Sequence, residues 1–198
     1  MIKSILGMVI PDRGKLFVHD KLVSRDFSYR QNIGYMPQIG RYPDNMSVGQ
    51  ILDMIKELRG FKTAPDEDLL KAFKLESIYH KRMRTLSGGT TQKVSATLAF
   101  LFNPLILILD EPTAGLDPLA SEILKEKILL EKKNGKLIMI TSHLLSELDD
   151  LITELIFMNE AMVQFHQSVG QLQQTTGEEK ISKAIAHILK QRLHEPNN

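Results

Sequence analysis

Leu86-Ser87-Gly88-Gly89-Thr90 and, further along, Leu105-Ile106-Leu107-Ile108-Leu109-Asp110-Glu111-Pro112-Thr113-Ala114-Gly115-Leu116-Asp117 decide how this chain is read. The first stretch is a glycine turn opening a helix. Glycines let backbone N–H groups approach an anion closely, and a helix N-terminus attracts it. The second begins as an unbroken apolar run, the pattern of a parallel strand covered on both faces. It ends in two acids, at the carboxyl end of a strand, where open α/β sheets bind their ligands. Such parts suit a device that grips phosphates and activates a water.

Composition bounds the rest. At 198 residues, 42% hydrophobic and 25% charged, the chain is expected to fold as one ordinary globular domain over residues 1–198. A net charge of +1 offers no electrostatic case for nucleic acid or an anionic membrane. With Cys at 0, disulfides and thiolate metal sites are excluded, and a reducing compartment is expected. No apolar run approaches the roughly 20 residues that cross a bilayer, and no secretory leader pattern is present, so a cytosolic domain is expected.

The flanking segments alternate between strand and helix patterns. Ile2, Ile5, Leu6 and Val9 predict a helix stopped by Pro11–Gly14, and Lys15–His19 predicts a short strand. Ile33–Gln38 reads as a strand ending at a Pro-fixed turn. Residues 46–102 read as helical: Ser47 caps a stripe of Val48, Ile51, Leu52 and Ile55. Leu69, Leu70 and Phe73 follow the acid-rich Asp66–Asp68, then Val94, Leu98, Leu101 and Phe102. Leu119, Ile123, Leu124 and Ile128 predict a helix ended by Asn134-Gly135. Leu137–Thr141 predicts a parallel strand covered on both faces. Leu155–Met158 and Met162–Phe165 predict a hairpin, and Ile181, Ile185, Ile188 and Leu189 a last helix before a polar tail.

In this order the motifs closely resemble the ATP-binding-cassette ATPases. Leu86–Thr90 is similar to their signature loop, and Leu105–Glu111 to their Walker B strand with its catalytic glutamate. The resemblance covers nearly all of the chain. It implies an α/β P-loop NTPase-like core with a mostly parallel sheet and a helical subdomain inserted at about 46–102. It also implies ATP and Mg²⁺ as cofactors, with Asp110 on the metal and Glu111 polarising the attacking water. Mg²⁺ takes only one or two carboxylates and fills its octahedron with water and phosphate oxygens, which suits Asp110. Gln38 takes the Q-loop position, reaching the metal or the water, and His143 resembles the switch histidine at the γ-phosphate. Ser87, Gly88, Gly89 and Asp117 fall where the family contacts ATP, the signature turn serving the nucleotide of the opposite subunit. Thr90 departs from the family's usual Gln, whereas Gln92 and Lys93 match.

Each residue also has a plainer reading. Ser87 can be a simple helix cap, Asp110-Glu111 an acidic strand-to-helix loop, His143 a structural hydrogen-bonder, and Gln38 a surface turn. The run Thr113–Asp117 after the acids favours the family reading. One family part is absent from these residues: no Gly-x-x-x-x-Gly-Lys-Ser/Thr occurs. The resemblance therefore implies a cassette missing its N-terminal Walker A region, with ATPase activity left open. The implied partners are a homodimer or paired cassette subunit and a membrane permease, on the inner face of the cell membrane. A non-catalytic interaction module, or an inactive fragment, remains the alternative. Residues 33–53 and 144–151 further resemble bacterial cassette ATPases serving copper delivery to nitrous oxide reductase.

Overall fold

The computed structural model of the chain describes residues 1–23, 27–60 and 64–194, in two compact units, Met1–Thr141 and Ser142–Asn198. In the first unit, helix α1 (Ile2–Ile5) is shorter than its apolar spacing predicts, because Gly7 turns left-handed at φ 63. Leu6 joins Val18, Ile33, Ile106 and Ile108 in a buried cluster, while Val9 is exposed. The strand predicted over 15–19 shrinks to β1 (Phe17–Val18), which pairs antiparallel with β2 (Lys21–Leu22). His19 and Asp20 make the turn between them at φ 50 and 58.

Strand β3 (Ile33–Met36) is followed by α2 (Val48–Arg59), α3 (Asp68–Ala72) and α4 (Gly88–Phe100). Helix α2 starts in a capping box: Ser47 Oγ accepts the Gln50 N–H, and the Gln50 side chain accepts the Ser47 N–H. Val48, Ile51, Leu52, Leu70, Val94 and Leu101 then bury into one cluster, the predicted stripes meeting face to face. Residues 61–63, inside the stretch expected to be helical, lie outside the described residues. Gly34 admits α4 onto the sheet, since a Cβ there would stand 2.0 Å from the Ala99 carbonyl oxygen.

Strand β4 (Ile106–Asp110), helix α5 (Pro118–Lys133) and strand β5 (Leu137–Thr141) complete the unit. The sheet order is β3-β4-β5, all parallel, with Ile33 opposite Ile106 and Asp110 opposite Thr141. A neighbour on each side leaves Leu107, Ile108 and Leu109 fully buried, as their run predicts. The same prediction fails for β5. It is an edge strand, Leu137 is 61% exposed and Ile138–Thr141 are half-buried, because β5 has one pairing partner among the described residues. In α5 the predicted stripe shifts: Leu124 and Ile128 are buried, but Leu119 is exposed and Ala120 faces inward. Gly135, at φ 80, ends the helix as expected.

The second unit is built on a hairpin, β6 (Glu154–Asn159) and β7 (Met162–Ser168). Its turn, Glu160-Ala161, holds φ 48 and 62, the primed-turn geometry that matches strand twist. Helix α6 (Val169–Thr176), which the sequence reading did not anticipate, opens in a second capping box, from Ser168 and Gln171. Helix α7 (Ile181–His194) buries Ile181, Ala184 and Ile185. The polar tail, 195–198, lies outside the described residues. No helix among the described residues is long and apolar enough to cross a membrane.

Candidate active site

Strands β3, β4 and β5 run parallel, so their carboxyl ends share one edge of the sheet. Asp110 closes β4 there, half-buried, opposite Thr141. The Thr141 hydroxyl donates to Asp110 Oδ1. At the next residue the chain turns sharply: Glu111 has φ 50, and its N–H donates to the Thr141 carbonyl at 3.0 Å. Tyr35, on β3, has its phenol pushed above its ordinary value by burial and by the negative charge of Asp110.

The loop after the acids is closed by the Ala114 N–H on the Glu111 carbonyl at 3.1 Å, and Gly115 turns at φ 77. Asp117 then caps α5, accepting the Ala120 N–H at 2.9 Å, while its other oxygen takes Lys93 Nζ of α4 at 2.6 Å. These contacts, the Lys93 bond first and the Ala120 bond next, hold its carboxyl below the ordinary range. The site expected to touch ATP at Asp117 is thus also a helix cap and an ion pair.

Ser87 fits its plainer reading as a helix cap. Its Oγ accepts the Thr90 N–H at 3.2 Å, a standard cap, and it also hydrogen-bonds the Thr90 hydroxyl at 2.8 Å. Thr90, where the family has Gln, therefore supports the turn. A side chain at Gly89 is excluded, since its Cβ would lie 2.6 Å from the Gly115 carbonyl. Around Gly88 nothing stands within 4 Å of such an atom, leaving an open approach to the α4 N-terminus. Gly89 against Gly115, and Lys93 on Asp117, bring the signature turn and the loop after the acids into contact.

Gln38 is exposed, two residues past the end of β3. The segment beyond it is anchored to α4: Tyr42 donates to Ser95 Oγ at 2.9 Å, and a Cβ at Gly40 would stand 2.3 Å from that same oxygen. His143, exposed, follows β5 by two residues and belongs to the second unit. Sequence reasoning missed Thr141, read only as the end of an apolar strand. Its polar residue type was the one available signal, and the register that gives it meaning is a property of the sheet.

The donor set fits a hard cation that is completed by a ligand's oxygens. With Oδ1 taking the Thr141 hydroxyl, Asp110 Oδ2 is the oxygen that would meet such a cation, and no cluster of three or more His, Cys, Asp or Glu among the described residues forms a cage by itself. An anion fits at the open α4 N-terminus.

Comparison with known proteins agrees with this fold. A family model described as ABC transporter matches residues 1–114. The human phospholipid-transporting ATPase ABCA3 is 37% identical over 161 residues, 79% of this chain but 9% of that protein. The Nod factor export ATP-binding protein I of Bradyrhizobium diazoefficiens is 33% identical over 158 residues, 77% of this chain. The chain spans about half of that relative, 52%. Among solved structures, an ATP-binding subunit of an ABC transporter superposes with TM-score 0.84 at 24% identity, over 95% of this chain and 81% of that one. A dimeric ATP-binding cassette in a post-hydrolysis state, bound to ADP and Pi, superposes with TM-score 0.72 at 18% identity, over 84% of this chain and 78% of that one.

Proposed function

The chain belongs to the ATP-binding-cassette transporter family, and from that premise we propose that it is part of a transporter's ATP-hydrolysing subunit. The observation that carries the reading is the acid pair at the carboxyl end of the central strand β4, held by β5. Asp110 offers Oδ2 to the nucleotide's divalent cation, directly or through a water. Glu111 accepts the proton of the attacking water. Bound Mg²⁺ supplies charge neutralisation on the phosphate oxygens, and the rest of the acceleration is positioning. Gln38, beyond the end of β3, orients the water, and His143 is the residue at the family's switch position for the terminal phosphate. Ser87, Gly88 and Gly89 present the N–H groups of α4 to a nucleotide held by a second cassette, so the working unit is a head-to-tail pair. A membrane permease is its partner through the segment after Gln38, whose anchoring on α4 links that segment to the signature turn.

The test is Glu111→Gln, with a Gly-x-x-x-x-Gly-Lys-Ser/Thr segment fused ahead of Met1, because these 198 residues contain none. The swap keeps shape and removes the basicity that acts in the transition state. Nucleotide binding should persist, with ATP-stabilised dimers, while turnover falls at least about 100-fold. Unchanged turnover would show that Glu111 is not the base.

A further inference from the structure

We propose that Thr141 is a positioning residue for the acid pair, its hydroxyl fixing the Asp110 carboxylate so that Oδ2 faces the nucleotide-bound cation. The proposal rests on the nucleotide-site reading above. One residue engages both acids through two different groups. The Thr141 side chain donates to Asp110 Oδ1, and its carbonyl accepts the Glu111 N–H at 3.0 Å.

A carboxylate at a strand end rotates in a broad, shallow χ2 well. A hydroxyl donated to one oxygen selects a carboxylate plane and leaves the second oxygen for the metal. Partners of this kind orient metal ligands, and their loss typically weakens metal binding by one to two powers of ten. The Glu111 bond does the matching task for the backbone. It holds the left-handed turn of Glu111 at φ 50. Threonine meets both demands. Its branched Cβ suits the last position of a strand, and its hydroxyl reaches across the ladder to the residue paired with it, Asp110. Valine keeps the shape without the hydroxyl; serine keeps the hydroxyl without the branch. The two substitutions therefore separate positioning from packing.

The experiment titrates the isotopically labelled protein, carrying the same Gly-x-x-x-x-Gly-Lys-Ser/Thr segment fused ahead of Met1, with Mn²⁺ in excess ATP at millimolar concentration. Paramagnetic broadening of the Glu111 and Thr141 amides reads the apparent Mn²⁺ affinity. ATP with chelator and a thermal melt are run beside it. Thr141→Val should weaken Mn²⁺ about 10-fold while leaving chelated ATP binding and the melt unchanged, and Thr141→Ser should stay close to wild type. If Thr141→Val melts early, Thr141→Ser alone decides, because a weakened Mn²⁺ affinity in a variant that keeps the hydroxyl refutes the proposal. Thr141→Val binding Mn²⁺ like wild type, while Asp110→Asn loses it, overturns the proposal alone. No broadening in wild type, or none lost in Asp110→Asn, overturns the nucleotide-site reading and this proposal with it.

Discussion

Glu111 holds a backbone conformation that glycine would adopt without strain, at φ 50. For a residue with a Cβ the left-handed region costs about 1 kcal/mol or more. The chain bears that cost at the one residue whose carboxylate the proposed chemistry needs as base. A direct comparison follows, because Glu111→Ala and Glu111→Gly both remove the carboxylate and differ in the backbone. Glu111→Gly should be the more stable by about 1 kcal/mol in urea unfolding. Equal stabilities would mean that the turn after β4 stores no strain. The hairpin turn at Glu160-Ala161 bears a like burden at two consecutive residues, but there no chemistry accounts for it.

At the scale of elements, the segment leading into α3 is locked onto α5 by charge. Lys127 of α5 reaches Asp66 at 2.6 Å, Asp68 at 2.8 Å and Glu131 at 2.9 Å, and Glu131 also takes Lys136 at 2.6 Å. The Lys127 and Glu131 side chains are only 6% and 3% exposed. Burial would lower the Lys127 ammonium, but its hydrogen bonds to Asp66, Asp68 and Glu131 prevail and raise it well above its ordinary value. Burial would raise Glu131, yet Lys136 and Lys127 hold it below its ordinary value. A depressed carboxyl stabilises the fold above its unfolded pKa of about 4.3, and that contribution is lost as pH falls through the lower folded value. A raised ammonium stabilises below about 10.4, and that contribution is lost as pH rises through the higher folded value. Lys127→Met should therefore cost about 3–5 kcal/mol at neutral pH, since it strands the largely buried Asp66 carboxylate and leaves Glu131 with Lys136 alone. The gap to wild type should narrow in denaturant melts taken progressively below pH 4 or so. A loss under about 1 kcal/mol would class the pairs with ordinary surface ion pairs.

For the molecule as a whole, one open feature of the first unit is the outer edge of β5, which has no pairing partner among the described residues. An apolar strand with an unpaired edge recruits other strands, and natural edges usually carry a charge to prevent it. Leu137, 61% exposed, stands where such a charge would sit. Leu137→Lys should reduce concentration-dependent association in sedimentation velocity while changing stability by less than about 0.5 kcal/mol. Undiminished association would point to another surface, such as the exposed Ile156, Met158, Met162 and Val163 of the hairpin. What the sequence by itself determined is whatever depends on near neighbours. That covers the caps at Ser47 and Ser87, the helix stop at Gly135, and the helical stripes that meet around Leu52 and Val94. It also covers the buried centre of β4 and the acid pair at its end, where an apolar run meeting Asp110-Glu111 is a local pattern. Only the tertiary structure decided that Thr141 engages both acids and that Lys127 locks α5 to the start of α3. The reason is chain separation. Thr141 and Asp110 are 31 residues apart, and Lys127 and Asp66 are 61 apart. Strand order and register bring Thr141 to Asp110, helix packing brings Lys127 to Asp66, and no periodicity or spacing along the chain encodes either.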